Sequence, residues 1–145
     1  MISIEELEAL VGKPFPGGTY TIEPYRNWLL LDSTEGTPSL SGSAFPMEIY
    51  FGAVDAMGIS LDELFAWVGS SAADGPMFGE AELEQRRALQ VGETFAVRGQ
   101  LKSVARKEGK RAGVFDIVGF RLELVDADGK VAAVSTNSFV FPRRD

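Results

Sequence analysis

Glu48 and Asp55 stand seven residues apart in an apolar stretch running from Pro46 to Gly58. On a helix that separation is about two turns, so both carboxylates project from one side. A carboxylate buried there would have a raised pKa and serve as a nucleophile or general base. Left in solvent, or placed at a contact between subunits, the pair would do neither. A second group, Arg106, Lys107, Lys110 and Arg111, crowds around Gly109. Four cations at one turn suit charge-assisted bonds to phosphates or to an acidic protein, or else form a solvated hairpin tip. A third group is apolar: Phe45, Met47, Phe51, Phe65, Trp67, Met77 and Phe78. Together they would line a tunnel for an apolar chain, or simply fill a core.

The composition removes most other chemistry. The 145 residues include no histidine and no cysteine. Histidine-based triads, imidazole bases, thiolate nucleophiles and His or Cys metal ligands are therefore excluded, and neither a metal site nor a cofactor is expected. The absence of cysteine is consistent with a reducing compartment. Fourteen basic residues against 21 acidic ones give a net charge of −7, which argues against nucleic-acid binding. No phosphate-loop or dinucleotide motif is present. No apolar run approaches the roughly 20 residues of a membrane helix. The acidic start, Met1 to Glu6, is unlike a signal peptide, so a cytoplasmic protein without a membrane partner is expected.

The elements that must position these groups read as helices first and strands after. With 45% hydrophobic residues and no linker or repeat, residues 1–145 form one domain. Ser3 and Glu6 make a capping box for a short helix ending before Gly12, and Ser60 and Glu63 make another for a helix ending at Gly69. Pro24 opens a helix to Leu31, and the Ser-, Thr-, Gly- and Pro-rich stretch Asp32 to Ser43 is a loop. From Pro46, the positions Met47, Phe51, Val54 and Gly58 share one helical face. Strands are expected at Tyr20–Ile22, Glu80–Leu89, Thr94–Val104, Val114–Val125 and Val131–Phe141, with Pro142 stopping the last. Turns are expected at Gln90–Glu93 and Asp126–Gly129. Gly75, Pro76 and Gly79 read as a loop with open backbone amides. This order describes an α+β domain with helical material on one face of an antiparallel meander.

Several pieces, in order, carry a resemblance: Leu10-Val11-Gly12-Lys13, Ala44-Phe45-Pro46-Met47, Asp74 through Glu80, Val91-Gly92-Glu93-Thr94, Glu123 through Val131, and Ser138 through Pro142. Across nearly the whole chain they resemble the MaoC-like dehydratase family, more narrowly its N-terminal, FAS-type dehydratase domain. The resemblance implies a hotdog fold, a long central helix wrapped by a curved antiparallel β-sheet. It implies an acyl thioester of coenzyme A or acyl carrier protein as ligand, and a second hotdog subunit in a homo- or heterodimer. The basic turn would then meet the coenzyme A phosphates or the carrier, and the apolar group would line the acyl pocket. Active members carry Asp-x-Asn-Pro-x-His in the loop before the central helix. Aligning Pro38 with that proline puts Glu35 at the Asp, Thr37 at the Asn and Leu40 at the His. The dyad is incomplete. The resemblance thus implies a non-catalytic subunit of an (R)-specific enoyl-CoA hydratase or 3-hydroxyacyl dehydratase, a lyase of fatty acid or steroid metabolism, paired with a subunit that carries the dyad. Two alternatives stand beside it: a homodimeric acyl-CoA thioesterase using Glu48 or Asp55, and an acyl-thioester binding or regulatory module.

Overall fold

Ser3 with Glu6 and Ser60 with Glu63 form reciprocal capping boxes that start α1 (Ile4–Glu8) and α4 (Leu61–Trp67). Pro24, with its φ already helical, starts α2 (Pro24–Ser33). The third helix, α3 (Glu48–Asp55), lies between them in sequence and is followed, after α4, by a 3-10 turn at Ala72–Asp74. Five strands complete the computed structural model, which describes residues 1–143: β1 (Gly18–Thr21), β2 (Met77–Gln85), β3 (Thr94–Gly109), β4 (Gly113–Val125) and β5 (Val131–Arg143). They form one antiparallel sheet in the order β1-β3-β4-β5-β2. Gly92 and Gly129 take positive φ in the two tight turns expected from the sequence. One face of the sheet supplies Phe95, Leu101, Phe120, Leu122, Leu124, Phe139 and Phe141 to a core shared with Ile49 and Ala53 of α3 and Leu64 and Phe65 of α4. No helix among the described residues is long and apolar enough to cross a membrane.

Several local expectations need correction. The central helix is two turns long and ends at Asp55, because Ala56 leaves helical geometry and Gly58 turns the chain at φ +91°. Its buried residues are Glu48, Ile49, Gly52 and Ala53, not the stripe Met47, Phe51, Val54 and Gly58. The helix sits so close to β1 that a Cβ at Gly52 would lie 2.6 Å from Cε1 of Tyr20. Small residues make the contact and larger apolar ones are carried to the flanks. β2 begins at Met77 rather than Glu80, because left-handed Gly75 ends the 3-10 turn and frees the chain to extend. Gly79 accordingly lies in β2, not in an open loop. β5 runs through Pro142 to Arg143. Beside Pro142 the only neighbouring strand among the described residues is β4, since β2 starts opposite Val140. A proline is tolerated at such a local edge.

Candidate functional site

The loop that precedes α3 is fixed at both ends and free between them. At its start, Gly36 N–H donates to the carbonyl of Leu31 at 2.8 Å, and Glu35 takes φ +54° to close the end of α2. At its far end, buried Asn27 of α2 accepts the Phe45 N–H through Oδ1 at 2.7 Å, and Ala44 N–H donates to Leu89 O at 2.7 Å. The span from Thr34 to Gly42 is exposed throughout, Glu35 and Leu40 included.

Beyond the loop, Met47 and Tyr50 from the start of α3 face Phe78 and Ala81 of β2 across an apolar cleft of about 280 Å³. Tyr50 meets Phe78 edge-on at 5.7 Å, and Phe78 meets Phe139 edge-on at 5.5 Å. Of the seven apolar residues picked from the sequence, Met47 and Phe78 line this cleft. The others do not gather around it as one group. Phe65 is buried, edge-on to Phe139 and Phe141, and Trp67 stacks on Phe15 at 5.5 Å, because α4 presses both onto the core. Phe51 is half-buried beside Tyr50, Phe45 is half-buried at the loop end, and Met77 is exposed on β2. Tyr50 went unread in the sequence; its signal was the three-residue helical spacing from Met47. β2 is a sheet edge, exposed along almost its whole length. A bulge between Phe78 and Ala81 turns it, where the Glu80 N–H donates to Ser138 Oγ at 3.1 Å.

Glu48 and Asp55 do face one side, toward β1 and α2. Glu48 is wholly buried, and its Oε2 accepts from the Tyr20 hydroxyl. Arg26 lies over the Tyr20 ring, 5.4 Å from its centroid, and donates to Asp55 Oδ2 at 2.7 Å. Burial pushes the Glu48 carboxyl up, against the opposing pull of Tyr20 and Arg26. In this arrangement Glu48 is enclosed by protein and Asp55 is exposed but engaged with Arg26.

The basic turn divides. Lys110 and Arg111 lie in the β3–β4 turn and Lys107 ends the outer face of β3, all three exposed. Arg106 is not part of the tip. Its guanidinium donates to both oxygens of buried Asp116, at 2.7 and 2.9 Å, and to Ile2 O at 2.9 Å.

A family model described as the FAS1-like dehydratase domain region matches residues 46–135, from the start of α3 into β5. The fold is similar to a chain of the ChsH1–ChsH2 complex from Mycobacterium tuberculosis, with a TM-score of 0.69 and 14% identity over 97% of this chain and 92% of that one. It is similar to a chain of the C-terminally truncated HadBC (3R-hydroxyacyl-ACP dehydratase) complex from the same organism, at TM-score 0.65 and 14% identity over 88% and 92%. The MaoC-like dehydratase from Rhodospirillum rubrum matches at TM-score 0.62 and 19% identity over 100% and 99%. No curated protein matches the sequence. The architecture is the hotdog fold of MaoC-like dehydratases.

Proposed function

The chain belongs to the FAS1-like dehydratase-domain family, and we propose that it is an acyl-thioester-binding subunit that does not catalyse alone but pairs with a hotdog subunit carrying the Asp and His. One observation carries this reading. With Pro38 aligned to the motif proline, Leu40, fully exposed in the loop before α3, falls at the position of the family's histidine, and the sequence contains no histidine to replace it. Reversible hydration of an enoyl thioester adds hydroxide to one carbon of the double bond and a proton to the other. One group must take a proton from water while another delivers one. Glu35 is a single exposed carboxylate on a left-handed backbone position, with no side-chain partner among the described residues. A positioned general acid or base is worth about 10² to 10⁴ in rate.

The partner is argued from surfaces. β2 leaves a row of unpaired backbone groups on the sheet edge, with Met77 and Phe78 exposed beside them. Unpaired edges favour association with another strand. Tyr25, Trp28 and Leu29, three and four residues apart, expose an apolar face of α2. Two of the similar structures, ChsH1–ChsH2 and HadBC, are complexes. In the assembled pair, the cleft of Met47, Tyr50, Phe78 and Ala81 would take part of the acyl chain. Lys107, Lys110 and Arg111 would meet the phosphates of coenzyme A or an acidic carrier protein.

Sedimentation at micromolar concentration tests the pairing, with the chain alone and coexpressed with a hotdog protein carrying Asp-x-Asn-Pro-x-His. A dimer or larger species is expected, and Phe78→Asp should weaken it at least tenfold while the melting transition stays cooperative. A stable monomer in both preparations would overturn the reading.

A further inference from the structure

On the outer face of the sheet, at the end of the strand order away from β2, β3 and β4 form a groove of about 550 Å³. Residues 12–15 run along β3 as one wall. Gly12 N–H donates to Leu101 O at 2.8 Å, and Phe15 N–H donates to Gly99 O at 2.9 Å. The floor and opposite wall carry charge. Arg98 Nε donates to Glu123 Oε2 at 2.9 Å, and Arg121 Nη1 donates to the other oxygen of the same carboxylate. Lys102, which also lines the groove, has no ion-pair partner among the described residues. Three cations therefore surround one carboxylate, a surplus of two positive charges in a chain of net charge −7. Arg98 and Arg121 each engage Glu123 through one nitrogen, leaving most of their donors unspent.

Two backbone features shape this groove. The β3–β4 register shifts between Leu101 and Ser103, so Lys102 is the extra residue of a β-bulge, a device that re-aims a side chain. At Gly99 a Cβ would collide with the Arg121 carbonyl oxygen and lie 2.8 Å from Leu122 Cδ2. Only glycine lets β3 approach β4 this closely and bring Arg98 and Arg121 onto one carboxylate.

We infer that this groove binds a phosphate-bearing small molecule of nucleotide size, held by Arg98, Lys102 and Arg121. Guanidinium forks match phosphate oxygens in pairs, and an ammonium adds a mobile point charge. A bare oxyanion would leave most of the groove empty, whereas small-molecule sites occupy about 300–1,000 Å³. Pro14, exposed on the wall in front of buried Phe15, gives the non-phosphate part an apolar ledge. The groove is separate from the cleft beside β2, and the inference does not depend on the thioester reading.

Calorimetric titration of the full chain with ADP, pyrophosphate and adenosine at low salt tests it. ADP and pyrophosphate should bind, and adenosine should not. Lys102→Gln breaks no ion pair, so it should leave the melting temperature unchanged while weakening ADP at least tenfold, or ~1.4 kcal/mol. Arg98→Gln should weaken ADP similarly, and the tip variant Lys107→Gln/Lys110→Gln should leave its affinity within twofold. Absence of ADP binding, or an unchanged ADP affinity in Lys102→Gln, would overturn the assignment.

Discussion

At the scale of single residues, Glu48 is a carboxyl buried at a cost, because a charge taken out of water must find partners. One of its carboxylate oxygens is met by the Tyr20 hydroxyl, and the other, Oε1, has no hydrogen-bond partner among the described residues. Burial raises the Glu48 carboxyl and Asp55 adds to that rise, against the opposing pull of Tyr20 and Arg26. The folded state therefore favours the neutral acid. Its contribution to stability is fully present below the ordinary glutamate pKa of about 4.3 and is lost as pH rises through the higher folded-state value. Glu48→Gln keeps an acceptor for Tyr20 but cannot ionise. Its melting temperature should exceed the parent's at pH 8 and decline less between pH 5 and pH 8. Superimposable pH profiles would contradict this account. Spacing alone identified Glu48 and Asp55 as a same-side pair. Their partners were not legible, because Tyr20 and Arg26 lie 28 and 29 residues away on β1 and α2.

Among the elements, the least legible junction is the one tied by Asp116. This buried carboxylate on β4 accepts from Arg106 of β3 and from Arg143 of β5, the latter at 2.6 Å. Arg143 also donates to the carbonyls of Val68 and Gly69 at 2.7 and 3.0 Å, so it caps the end of α4. Burial alone would raise the Asp116 carboxyl, but the two guanidinia outweigh it and hold it below its usual value. The stability it confers is present above the ordinary aspartate pKa of about 3.9 and is lost as pH falls through the lowered one. Arg143→Met strands part of a buried charge and should cost about 3–5 kcal/mol. Urea unfolding would show it as a fall in midpoint with the slope kept, and a loss under about 1 kcal/mol, the range of an exposed pair, would contradict the assignment. The sequence pattern grouped Arg106 with the hairpin tip because the alternation was followed only to Val104, whereas β3 runs on to Gly109. Val97 and Leu101 point inward before the bulge at Lys102, and Val104 and Arg106 point inward after it. The bulge breaks the alternation and returns Arg106 to the inner face. Where no bulge intervenes, as along β4, alternation placed Val118, Phe120, Leu122 and Leu124 on the core side, where they are found.

Over the whole molecule, the order of elements and the resemblance to MaoC-like domains were legible, because turns at Gly92 and Gly129 and the alternating strands between them are local signals. Which surfaces stay unpartnered was not legible, since that depends on strand order. β2, fourth from last in sequence among the five strands, ends up at the sheet edge beside β5, with Glu80, Glu82 and Glu84 exposed along it. The basic residues of β3 lie toward the other edge. The two sides of the sheet thus differ in charge, and an incoming subunit at β2 and an anionic ligand at β3 need not compete.

The central claim is that this chain contributes a pocket but not the proton chemistry, and hydration of a short trans-2-enoyl coenzyme A tests it most directly. The rate is measured for the purified chain and for the chain paired with a hotdog subunit carrying Asp-x-Asn-Pro-x-His. The account predicts no turnover by the chain alone and sustained hydration by the pair. Turnover above ~1 per second by the purified chain, an ordinary enzyme rate, would contradict it.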